Sequence, residues 1–139
     1  MDATIAAWLD GITPEVRRRD ARTLVELYSR ATGQPPRLHG SIVGFGHYAY
    51  RYASGRTGDG AAGAFAARKP STVIYLADGN GAHASALARL GPHTTGVGCL
   101  YIKDLSKVDL GVLEGIIRSS YATLTAGVFG QRAREGSEA

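Results

Sequence analysis

Few side chains in this chain can start chemistry. Four histidines (His39, His47, His83 and His93), one cysteine (Cys99) and twelve carboxylates are the available bases, nucleophiles and metal ligands. No two histidines stand at helical i, i+4 spacing, and none has a carboxylate placed as in known metal motifs, so no metal site is expected. His47 alternates with Phe45 and Ala49 on an apparent strand, which suits a packed or edge imidazole. His93 lies in a loop between Pro92 and Thr94 and is better placed to touch a ligand. Cys99 opens a strand beside Leu100 with no cation nearer in sequence than Lys103, so it reads as a small apolar residue. A lone cysteine also excludes an intramolecular disulfide and a four-cysteine zinc site. Serines are plentiful, but no G-x-S-x-G elbow is present and no carboxylate pair is set for acid–base work. Gly44-Phe45-Gly46-His47-Tyr48-Ala49 spells the dinucleotide pattern G-x-G-x-x-A. That mechanism needs a strand-to-helix turn, whereas these residues continue as a strand of tyrosines, so the match is discounted. Neither Lys69 nor Lys103 follows P-loop glycines. The chain is expected to be no enzyme and to use no cofactor.

Two features remain. Tyr48, Tyr50 and Tyr52 share one strand face with Gly44 and Gly46, and Arg51, Arg68, Lys69 and Lys103 stand at strand ends. Tyrosine offers a flat apolar face with a polar tip, and strand-end cations can hold an acidic group. The candidate ligand site is a groove walled by Tyr48, Tyr50 and Tyr52, with Arg68, Lys69, His93 and Lys103 at its mouth. Against it stands close packing, in which the last helix lies over the glycines and leaves no cavity. The net charge is +4. Its densest part, Arg17-Arg18-Arg19 with Arg22, reads as the solvated face of a helix, so no nucleic-acid partner is expected. The partner is an unknown small molecule or protein, with homodimerisation left open.

The elements that would position these groups follow from period and caps. Ile5, Trp8, Leu9 and Ile12 mark a first helix with Asp2 as its cap. Thr13-Pro14-Glu15 begins a second, with Ala21, Leu24, Val25, Tyr28 and Ala31 as its stripe and Gly33 as its stop. Strands are expected over 41–52, 61–67, 72–77 and 99–103, with glycine-rich loops at 54–60 and 91–98. A short helix is expected over 82–90. The last helix follows a capping box at Ser106-Lys107-Val108-Asp109 and buries Leu113, Ile116, Ile117, Ser120 and Leu124. Short loops between strands make the sheet antiparallel. The expected class is α+β, a two-layer sandwich of about four to five antiparallel strands with helices on one face.

At 139 residues the chain suits one domain, expected over 1–125, with 126–139 as a frayed tail. Its 44% hydrophobic and 20% charged residues are those of a globular protein rather than a disordered one. No apolar run nears the ~20 residues of a membrane span, and Met1-Asp2 opens no signal peptide. A cytoplasmic protein with no membrane partner is expected.

Several motifs occur in one order: Ser41-Ile42-Val43-Gly44-Phe45-Gly46, the alternating Tyr48, Tyr50 and Tyr52, and Ser54-Gly55-Arg56 with Gly58-Asp59. Phe65-Ala66 with Arg68-Lys69 follows, then Leu90-Gly91 with His93, Thr95-Gly96, Gly98-Cys99-Leu100-Tyr101-Ile102-Lys103, and Asp109-Leu110 with Val112-Leu113. From about Trp8 to Tyr121 the chain resembles the YdhG-like family of bacterial proteins, also called domain of unknown function 1801. The resemblance implies an antiparallel sheet with helices on one side, similar in outline to frataxin. Some relatives are described as frataxin-like iron chaperones. Iron binding of that type uses an acidic helical ridge, which suits a hard cation. Here the matching helix presents Arg17, Arg18, Arg19 and Arg22 with only Glu15, Asp20 and Glu26 among them. The sequence also departs from its relatives at His39, where many carry tryptophan, and at Pro92, Thr94 and Val97, where lysine or another polar residue is common. The leading expectation is a non-enzymatic binding domain for a small anionic ligand or a protein partner, and the alternative is an iron chaperone.

Overall fold

The computed structural model describes residues 2–130. Helix α1 (Ala3–Asp10) is capped by Asp2, whose carboxylate accepts from the Thr4 N–H at 2.6 Å, and it buries Ile5 and Leu9 one turn apart. Helix α2 (Glu15–Thr32) buries Ala21, Leu24, Val25, Leu27 and Tyr28 and stops at Gly33 in the left-handed region. Pro14 stands at its N-cap with no side-chain cap bond, so the expected Thr13 cap is not made. A 3-10 turn (Asn80–His83) leads into α3 (Ala84–Leu90). Helix α4 (Leu110–Thr125) buries the five residues its spacing predicts. Its cap is Asp109, accepting from the Val112 N–H at 3.1 Å. Ser106 instead binds Asp104 in a short turn, Leu105–Lys107, so the expected capping box is not formed.

The sheet is larger than expected. Six antiparallel strands run in the order β1 (Pro36–His39), β2 (Ile42–Phe45), β5 (Gly63–Ala67), β6 (Thr72–Tyr75), β8 (Cys99–Ile102), β7 (Thr94–Gly96). A separate two-stranded ribbon pairs β3 (Tyr48–Arg51) with β4 (Thr57–Gly60). The single strand expected over 41–52 is therefore two, divided at Gly46, whose φ of 70° breaks the extended run. The register nevertheless carries through. From Phe45↔Gly63 to Tyr48↔Gly60 both chains advance three residues, so β2–β3 and β4–β5 form one long hairpin whose outer half leaves the sheet. Ala49, expected on one strand face with Val43 and Phe45, is exposed on that outer half, while those two are buried. The glycine-rich stretches at 54–60 and 91–98 contain β4 and β7, because pairing across a hairpin makes strands of residues with little strand preference.

Val43, Phe45, Phe65, Ile74, Leu100 and Ile102 are fully buried and share one core with Leu24, Leu27 and Tyr28 of α2 and Leu113, Ile116 and Ile117 of α4. Tyr28 stacks on Phe45 at 4.8 Å and on Phe65 at 5.5 Å, and its hydroxyl donates to the Ala64 carbonyl. Burial pushes this phenol far above its ordinary value. Residues 128–130 do not hang free. The Phe129 N–H donates to the Ala49 carbonyl, and the Phe129 carbonyl accepts from the Arg51 N–H, both at 2.9 Å, tying the chain to β3. The remainder of the expected tail, 131–139, lies outside the described residues. No helix among the described residues is long and apolar enough to cross a membrane.

Candidate functional site

One cleft gathers cations, an imidazole and an aromatic face. Its volume is about 690 Å³, and it lies between the β5–β6 turn (Pro70, Ser71), the segment entering β7 (Pro92, His93, Thr94) and the end of β8 with its continuation (Tyr101, Lys103, Asp104, Lys107). Gly91 makes this arrangement fit. Its φ is 115°, and a Cβ there would stand 2.9 Å from the Lys107 carbonyl oxygen, so only glycine lets the end of α3 close on the turn before α4. The Asp109 N–H seals that junction by donating to the Leu90 carbonyl at 2.8 Å. His93 follows at once, and its Nδ1 lies 2.7 Å from the Gly91 carbonyl. A carbonyl only accepts, so Nδ1 carries the proton and Nε2 is left for a ligand. On β8, Tyr101 pairs with Thr94 and lies across Gly96, where a Cβ would come within 3.0 Å of its hydroxyl. The hydrogen bond with the Cys99 thiol raises the Tyr101 phenol above its ordinary value, so it stays a neutral donor at physiological pH.

Beneath the cleft is a buried ionic knot. Arg17 is 1% exposed; it donates to Thr72 Oγ1 at 2.6 Å, to the Ile102 carbonyl at 3.1 Å and to the Lys103 carbonyl. Asp20, also 1% exposed, accepts from the Leu105 N–H at 3.0 Å and from Arg19. Arg17 thus ties the start of β6 to the end of β8, which are two walls of the cleft. The expectation that Arg17 lies on a solvated face is corrected. At the first turn of α2, its position faces the sheet, and three acceptors at strand ends take up its guanidinium. Asp104 is drawn the same way, with Oδ1 accepting from Arg19 at 2.6 Å and from the Ser106 N–H and hydroxyl. Those bonds hold its carboxyl down at about 2, so it stays ionised with its charge already answered. Lys103 and Lys107 are exposed and make no ion pair among the described residues.

The expected groove divides. His93 and Lys103 meet in the cleft, while Tyr48, Tyr50 and Tyr52 stand on the outer hairpin. Arg68 and Lys69 follow β5 at its far end, at least about 26 Å of extended chain from the tyrosine pairs. Arg68 donates to Ser41 Oγ at 2.8 Å, and Lys69 is exposed in the turn before Pro70. The tyrosines pack on one another, with ring centroids 5.9 Å apart for Tyr48–Tyr50 and 4.6 Å for Tyr50–Tyr52. Tyr50 lies over Gly58 on the partner strand, and Phe129 meets Tyr48 edge-on. Burial and the neighbouring tyrosines push the Tyr48 phenol up to about 12. Close packing also accounts for the two glycines. A Cβ on Gly46 would meet Tyr121 of α4 at 2.8 Å, and one on Gly44 would meet the Ala61 Cβ at 2.9 Å and the His39 ring at 3.4 Å. The last helix covers Gly46; Ala61 and His39 cover Gly44.

Sequence reasoning missed Tyr101 and Lys107. Tyr101 had a usable signal, since it shares its strand face with Lys103 two residues on. Lys107 had none, because only the turn after β8 brings it back. Compared with protein-family models, with curated proteins and with solved structures, the chain matches none. Among the described residues no three His, Cys, Asp or Glu side chains gather around a point that could hold a metal ion.

Proposed function

We propose that this chain is a non-enzymatic binding domain of the YdhG-like kind, frataxin-like in outline, that takes a small anionic ligand with a flat apolar body in the His93–Tyr101 cleft. The observation that carries the reading is the convergence of Lys103, Lys107 and His93 around Tyr101, with the one nearby carboxylate, Asp104, already neutralised by Arg19. The ligand's acidic group sits between the two lysines and accepts from them, and its ring lies against Tyr101 and Pro92. Arg17 fixes the strand ends from below, so the walls are set before a ligand arrives and little ordering is lost on binding. The iron-chaperone alternative would draw on the carboxylates of α2, and Asp20 among them is spent on Arg17, Arg19 and the Leu105 N–H.

Phenyl phosphate is a suitable probe, joining a dianion to an aromatic ring. Titrated into the labelled protein, it should move the amide signals of His93, Thr94, Tyr101, Lys103 and Lys107 to saturation. Replacing Lys103 and Lys107 together by alanine should weaken binding about tenfold or more, the equivalent of about 1.4 kcal/mol. Shifts centred on Tyr50 and Tyr52, or none at all, would overturn the assignment.

A further inference from the structure

A second concavity, separate from the cleft, runs between α3 and α4 with a volume of about 580 Å³. At its floor is a buried polar chain on which the reading above makes no demand. His83 Nε2 lies 2.8 Å from Asp78 Oδ2, and Asp78 Oδ1 accepts from Ser120 Oγ at 2.6 Å. All three residues are more than nine-tenths buried, with His83 5% exposed. An ionised carboxylate only accepts, so Nε2 carries a proton, and in the neutral imidazole Nδ1 keeps its lone pair. Among the described residues Nδ1 has no hydrogen-bond partner, although His83 lines the groove. Opposite it on α4 is Gly115, where a Cβ would meet nothing within 4 Å, so the groove is open there. Further along α3 is Arg89, exposed and without an ion pair among the described residues. Its backbone lies six residues, about 9 Å, beyond His83, and both side chains line the groove. The groove's carboxylate, Asp109, has Oδ1 engaged by the α4 cap.

We propose that this groove is a second ligand site, which takes a small carboxylic acid bearing a hydroxyl or N–H group a few bonds from its carboxylate. Arg89 holds the carboxylate, and Nδ1 of His83 accepts from the donor. Asp78 is the positioning residue, since it sets the tautomer that leaves Nδ1 free.

Bromoacetate tests this directly, because it carries the carboxylate and reports on the lone pair. Nδ1 attacks the methylene carbon, the new N–C bond forms as bromide leaves, and the resulting imidazolium stays paired with Asp78. Peptide mass mapping should find His83 carboxymethylated at least tenfold faster than the exposed His39 and His47, with glycolate protecting it. Arg89→Ala, an exposed change that leaves the core intact, should slow that labelling at least tenfold. It should leave labelling by neutral bromoacetamide unchanged. Long-range proton–nitrogen spectra should show the Nε2–H tautomer at His83. An unlabelled His83, a rate indifferent to Arg89, or the Nδ1–H tautomer would each overturn the proposal.

Discussion

Arg17 binds acceptors on β6 and at the end of β8 while lying almost wholly out of water, and its nearest carboxylate, Asp20, is equally buried. Removing Arg17 takes the buried donor from Thr72 Oγ1 and the Ile102 carbonyl and withdraws one of the two cations from Asp20. Arg17→Met should therefore cost about 3–5 kcal/mol in urea unfolding, far more than a substitution of the exposed Arg22. The acid limb of stability belongs to this scale too. Asp104 has a folded value of about 2 against an ordinary 3.8, set chiefly by its bonds from Ser106. A depressed carboxyl contributes stability that is present above its unfolded value and is lost as pH falls through the folded one. Stability should thus decline between about pH 4 and pH 2, and Asp104→Asn should flatten that decline in a series of thermal melts. An equal slope in the variant would show that Asp104 is not among the groups responsible.

The hairpin that begins in the sheet as β2–β5 and continues as β3–β4 turns on Gly46. At φ 70°, and with Tyr121 where its Cβ would project, valine there faces both backbone strain and overpacking. Gly46→Val should lower stability by about 1–3 kcal/mol, read from the melting temperature. The outer half of the hairpin is tied at its side by Phe129, whose N–H donates to Ala49. Phe129→Pro removes that bond, so hydrogen exchange at Arg51 should quicken at least tenfold while Leu100 keeps its protection. Helices α1, α2 and α4 were legible from apolar spacing and from Asp2 and Gly33, because their buried faces follow one period. The clearest strand, β6, was legible from its β-branched run Thr72-Val73-Ile74, and β8 from an alternation that its burial follows. β4 and β7 were not, since Thr57-Gly58-Asp59-Gly60 and Thr94-Thr95-Gly96 become strands only through their partners. The candidate site was half legible. His93 and Lys103 come together, but parity along 41–52 could not show that the tyrosines point away on a separate ribbon. Nor did any signal mark Arg17, the first of an arginine run, as its buried member.

At the scale of the molecule, charge and shape agree on the His93–Tyr101 cleft as a place for an aromatic anion. The net charge of +4 is spread thinly, and much of the arginine is spent internally or on neighbours: Arg17 on strand ends, Arg19 on Asp20 and Asp104, Arg30 and Arg118 on Glu114. Lys103 and Lys107 are left without an ion pair among the described residues, beside a cleft with an aromatic face. The measurement that bears most directly on this account is a crystal of the protein grown with phenyl phosphate. The account predicts density for the phosphate between Lys103 and Lys107 and for the ring against Tyr101. Phosphate density along the tyrosine ribbon, with the cleft holding only water, would contradict it.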